Sequence, residues 1–221
     1  LPDVLPGFSF DTRASRYRNL STGRFVPRDR GPNAITRLLE QSVNSAEQRM
    51  GNIVQGLAAG EIAPGPAQLM LRDEVRRLSL QNAALGKGGF DRLTAQDYGR
   101  VGRQLRDTYQ RTANLVRDVQ AGTVTLPQAM NRIEGYALDA RRQFFIAERD
   151  AARASGRQFE ERRTLHARES CIDCVGYARM GWQPADTLPL PGEGGTRCGS
   201  YCRCTIERRE VVEEVRERIA A

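Results

Sequence analysis

The residues of this 221-residue chain whose types and spacing could do chemistry are its five cysteines. Cys171 and Cys174 form a C-x2-C pair, and Cys198, Cys202 and Cys204 follow as C-x3-C-x-C. In and around them stand Gly176, Gly181, Pro184, Pro189, Pro191, Gly192, Gly194, Gly195 and Gly199, with Trp182 the only tryptophan. A segment so rich in turn formers cannot bury enough apolar surface to order itself and needs a cross-link. Tetrahedral Zn2+ supplies one, because it takes four thiolates, or three and an imidazole, and a two-residue gap presents two sulfurs to one ion. Such sites contribute on the order of 10 kcal/mol to folding. The expected ligands are four of Cys171, Cys174, Cys198, Cys202 and Cys204, with His166 as a candidate substitute. Cys171 and Cys174 make one half-site, and Cys198 with Cys202 or Cys204 makes the other. Side chains alternate along an extended segment, so Cys202 and Cys204 are expected on opposite faces, with one of the pair an outer-sphere or alternative ligand.

Other cysteine chemistries fit less well. An odd count leaves one thiol over in any disulfide scheme, and no charged-then-apolar leader is seen, so a reducing compartment is expected. The chain starts at Leu1 rather than Met, so upstream residues are expected to be missing. A redox C-x2-C would need a strand-then-helix setting. Zinc deaminases use H-x-E with P-C-x-x-C, whereas His166-Ala-Arg-Glu169 is one residue too long and lies too close to the cysteines. A thiol protease would depend on His166, the only histidine. The expectation is a closed structural site and no enzyme.

Composition narrows the class. Hydrophobic residues at 39% and charged residues at 28% suit elongated helices better than a large globule. No run of about 18 apolar residues offers a membrane-spanning helix. The net charge is +7, and Lys87 is the only lysine among 34 basic residues. Arginine's planar fork suits phosphate and carboxylate, so nucleic acid is one partner class; a GC-rich coding bias gives the same composition. Residues 1–32 read as an extended basic arm, with Arg13, Arg16, Arg18, Arg24, Arg28 and Arg30 as candidate contacts to nucleic acid or a neighbouring subunit.

Helices must position the rest. Ile35, Leu39, Val43, Ala46, Met50, Ile53 and Leu57 recur at steps of three and four after a cap at Asn33. A second helix is expected from about Ala67 to Leu85, with Leu71, Val75 and Leu78 inward. A third begins at Thr94 and carries Tyr98, Val101, Leu105, Tyr109, Val116 and Val119. The Thr125-Leu-Pro-Gln128 capping box opens a fourth, with Met130, Ile133, Ala137, Ala140, Phe144, Ala147 and Ala151 as its seam. Ala59-Gly-Glu-Ile-Ala63 echoes Ala121-Gly-Thr-Val-Thr125, which suggests two hairpins sharing one turn chemistry. The fold expected is mostly α: hairpins or an antiparallel bundle over 33–165, a cysteine-rich zinc module over 166–206, and a charged helix over 207–221 that starts from a short strand at Thr205-Ile206.

The string Cys171-Ile-Asp-Cys174, then Gly181-Trp182, then Leu188-Pro-Leu-Pro191-Gly192-Glu-Gly194-Gly-Thr196-Arg-Cys198, ending Cys202-Arg-Cys204, resembles the C-terminal motif of tailed-phage minor head proteins. These are the Mu-like head-morphogenesis proteins and their prophage relatives. Gly86-Lys-Gly-Gly89, Leu93 to Gly102, Tyr136-Ala137 leading to Phe144, and Arg16 to Val26 are similar too. The resemblance implies a non-enzymatic, multimeric component of the virion, or of the host cytoplasm during assembly. It implies portal and major capsid proteins as partners and allows contact with packaged DNA. Many relatives carry histidine where this chain has Cys171, Cys174 or Cys198, so the ligand set stays open.

Overall fold

The computed structural model describes residues 8–11, 16–25, 34–166 and 170–211. The chain forms two compact units, 1–147 and 148–221. Among the described residues no helix is long and apolar enough to cross a membrane.

The first unit is helical. Helix α1 spans Ala34–Ala58, α2 Pro64–Lys87, α3 Ala95–Gln120 and α4 Leu126–Ala154. Leu39, Val43, Ala46, Met50, Ile53 and Leu57 of α1 are buried as their spacing requires, while the cap expected at Asn33 lies outside the described residues. Helix α2 starts earlier than expected because Pro64 occupies its first turn, where a missing N–H costs nothing. Leu71, Val75 and Leu78 face inward. Thr94 and Asp97 close the capping box of α3, and Thr125 and Gln128 that of α4. Tyr98 departs from its stripe: it is 42% exposed, whereas Val101 and Leu105 behind it are buried. On α4 the buried face is wider than the expected seam and takes in Tyr136, Leu138, Arg141, Gln143 and Phe145. Arg141 reaches Glu40 of α1 at 2.6 Å, and Gln104 of α3 donates to the Asp139 carbonyl of α4 at 2.8 Å.

The two echoing turns are built alike. Gly60 and Gly122 take φ of +76° and +65°, the left-handed region that glycine enters without strain. Their N–H groups bond the Leu57 and Val119 carbonyls, each at 3.1 Å. The next N–H groups, of Glu61 and Thr123, close back on Gly56 and Asp118 at 2.8 and 3.0 Å. Ile62 and Val124 then fold back half-buried. Each turn ends its helix by satisfying the last carbonyls and reverses the chain.

Part of the expected arm is paired instead. Strand β1 (Phe8–Asp11) runs antiparallel to β2 (Arg16–Asn19), with Phe8 opposite Asn19 and Asp11 opposite Arg16. The Asn19 carboxamide then caps a turn by accepting the Ser21 and Thr22 N–H groups at 2.9 and 3.0 Å. Arg18 stacks on Phe25 with 4.5 Å to the ring centre, and Arg24 is exposed. Arg16 lies in β2, while Arg13, Arg28 and Arg30 lie outside the described residues.

The second unit begins on the last turns of α4, before the boundary expected at 165/166. It holds β3 (Phe159–Thr164), α5 (Ile172–Arg179), the two-residue β4 (Gln183–Pro184) and β5 (Thr205–Glu210). The antiparallel sheet runs β4-β3-β5, with Phe159 opposite Glu210 and Thr164 opposite Thr205. This corrects the expected charged helix at its start: Glu207–Glu210 extend the strand, because Arg162–Glu207 and Arg209–Glu160 are cross-strand ion pairs at 2.8 and 2.6 Å. Residues 212–221 lie outside the described residues.

Candidate metal centre

All five thiols converge. Cys171 caps the N-terminus of α5 and accepts the Cys174 N–H at 3.5 Å, which sets two sulfurs one helical turn apart. Cys198, Cys202 and Cys204 come from the far end of the glycine-proline loop. That loop is pinned to α5 where the Arg197 N–H donates to Asp173 Oδ2 at 2.7 Å. A short turn at Gly199–Tyr201 then separates Cys198 from Cys202.

Two groups of three sulfurs result: Cys171, Cys174 and Cys198, and Cys174, Cys202 and Cys204, each with its members within 4.8 Å of one another. Cys171 and Cys198 are 3.5 Å apart, and Cys174 is 3.7 Å from both Cys198 and Cys202. Four sulfurs at about 2.3 Å from a tetrahedral ion stand about 3.8 Å apart, so these edges match such a ligand shell. They lie well beyond the ~2.05 Å of a disulfide bond. Cys174, Cys202 and Cys204 are buried, and Cys171 and Cys198 pack half-buried against them. A cluster of soft, enclosed sulfur donors could hold a metal ion.

Cys202 and Cys204 do not fall on opposite faces: residues two apart on an extended segment share one, and both join the second group. His166 joins neither group; it follows β3, and its Nε2 sits 2.7 Å from Thr205 Oγ1.

The thiols titrate unequally. Burial raises Cys171, but N–H groups of Cys174 and Cys198 outweigh it and bring that thiol down to about 7. A hydrogen bond from Cys202 lowers Cys204 despite burial. Burial pushes Cys174 and Cys198 up, and the hydrogen bond to Cys204 together with burial does the same to Cys202. Crowded sulfurs cannot all ionise together unless a cation joins them.

What sequence reasoning missed is the support. Strand β3 reads as a solvated FEERRT, yet Glu161 and Arg163 are 0% and 2% exposed and face inward. Glu161 accepts from Arg149 and from the Leu188 N–H, both at 3.0 Å. Arg208 lies 3.6 Å from the same carboxylate and also pairs with Glu148. Arg149 donates to the Leu188 carbonyl at 2.6 Å as well. Buried Leu188 is thereby tied down, and the loop that carries Cys198 with it. The only sequence signal was Glu161 and Arg163 sharing one parity of a six-residue run, which without apolar neighbours does not stand out. On the outer face Trp182 lies between Arg162 and Arg209, whose guanidinium carbons are 4.8 and 4.4 Å from its ring centre.

No protein-family model, curated protein or solved structure matches the chain.

Proposed function

We propose that this chain is a structural minor head protein of a tailed phage or prophage, acting in the virion or procapsid without catalysis. The observation that carries the reading is the gathering of all five cysteines into one centre within the segment that resembles the head-morphogenesis motif. Zinc suits the donors: four of the five sulfurs would hold it, and the Cys171–Cys198, Cys174–Cys198 and Cys174–Cys202 separations are 3.5, 3.7 and 3.7 Å. When bound, the ion cross-links; it makes the module a rigid knob that docks on portal and capsid proteins.

The rival reading is a stand-alone zinc-containing nucleic-acid-binding module. The arginine composition favours it, but many arginines are already neutralised by carboxylates, among them Arg49, Arg111, Arg132, Arg157 and Arg162. Arginines interleaved with acids rather than massed support docking over direct binding.

Co-expression with portal and major capsid proteins tests the reading. The chain should co-sediment with nuclease-treated heads and stay bound at moderate salt. Duplex DNA affinity that dominates at low salt and collapses at physiological salt would favour the rival. Zinc analysis of the reduced protein should find one ion per chain, lost in Cys174→Ser.

A further inference from the structure

Among the described residues, Arg163 is a buried cation without a carboxylate partner. Its neighbours on β3 have partners: Glu161 pairs with Arg149 and Arg162 with Glu207. Arg163 is 2% exposed and, among the described residues, has no acidic group at ion-pair distance. Its Nη1 donates to Cys202 Sγ at 3.8 Å, and its Nη2 donates to the Pro189 carbonyl. The guanidinium carbon stands 5.7 Å from the centre of the Tyr177 ring, and Nε is buried with no hydrogen-bond partner.

A guanidinium stays charged at any ordinary pH, and removing it from water without an anion is strongly unfavourable. Among the described residues, the groups within its reach that can carry negative charge are sulfurs. Neutral thiols or disulfides would leave the cation uncompensated. Four thiolates around a divalent ion leave a net double negative charge, and exchanging one for imidazole halves it. We infer that Arg163 is the buried counter-ion of an anionic metal–thiolate centre, positioned by β3 to favour four sulfurs over a less negative ligand set. This deepens the zinc reading above and rests on it. It gives Arg163 a positioning role: the residue touches Cys202, not the ion, and partners of this kind tune the metal they surround.

The test uses the full, reduced chain and zinc alone, with affinity read by competition against a chelator. Arg163→Met, similar in volume and uncharged, should weaken zinc binding at least tenfold, whereas Arg163→Lys should retain most of it. A second measurement separates charge from packing. In a Cys198→His background the centre is less negative, so the penalty of Arg163→Met should shrink several-fold. Circular dichroism of the zinc-loaded variants checks that each is folded. Equal losses in the Met and Lys variants, or a Met penalty undiminished by Cys198→His, would overturn the inference while leaving the zinc reading intact. A wild-type chain that binds no zinc would sink both.

Discussion

The helical unit and the cysteine module solve the same problem with opposite materials. In α1 to α3, and in α4 up to the unit boundary, apolar side chains at three- and four-residue steps meet in a dry core of Leu39, Met50, Leu71, Leu115, Ile133 and Phe145. In the module the buried centre is Cys174, Cys202 and Cys204, and the positions that a strand would fill with valine hold Glu161 and Arg163. The first interior spreads its stabilisation over many transfers from water, so one change removes only a fraction of it. The second concentrates its stabilisation in a few strong electrostatic links, so single changes should cost more there.

That contrast can be broken at several points, and metal removal should have the largest effect. A strong chelator under reducing conditions should strip protease protection and hydrogen-exchange protection from β3 to β5, with α1 to α3 unaffected. The loss expected is on the order of 10 kcal/mol of module stability; unchanged protection of β3 would refute the metal staple. Glu161→Gln comes next, since it takes one of two carboxylates from buried Arg149 and leaves it only Asp186 at 3.1 Å, at a cost of about 3 kcal/mol. Exchange of the Leu188 and β3 amides would read it, and wild-type rates would show that the charge is dispensable. Leu115→Ala, in the core of α3, should cost about 2–5 kcal/mol in urea unfolding of the helical unit and leave metal affinity unchanged. A joint loss would mean that the two interiors are not independent.

The smallest effect sharpens the picture of the helical unit alone. Burial would raise the Asp97 carboxyl, but hydrogen bonds from Thr94 and the nearby Lys87 ammonium overcome it and hold it below its ordinary 3.8. A depressed carboxylate adds stability above its unfolded value, and that contribution disappears as pH falls through the folded one. Asp97→Asn should therefore cost about 1 kcal/mol at pH 7, read as a shift in the urea midpoint. Wild type and variant should converge well below pH 3.8. A constant gap across that range would assign the loss to packing.

What could be read from the sequence follows the same division. Helices α1 to α4 declare themselves because the residues that make their core are also the residues that mark their period. The matching turns at Gly60 and Gly122 were visible for a similar reason, as a local pattern with a local cause. The cysteine cluster was legible as a set of residue types. Its geometry was not, since β3 and β5 are brought together by a loop whose path no periodicity records. Glu161 and Arg163 were hidden because charged residues read as solvent-facing until a partner is known. The error over Cys202 and Cys204 was one of parity, and the N-terminal ribbon was masked by its prolines and glycines.

Trp182, wedged between Arg162 and Arg209, carries a practical consequence. It is the only indole in the chain, and it sits on the outer face of the sheet that backs the sulfurs. Intrinsic emission excited at the red edge will therefore report the module alone, with no contribution from the helices. Two cationic neighbours leaving the ring should change both its colour and its quenching, so an ordinary fluorimeter can follow this half of the molecule without a label.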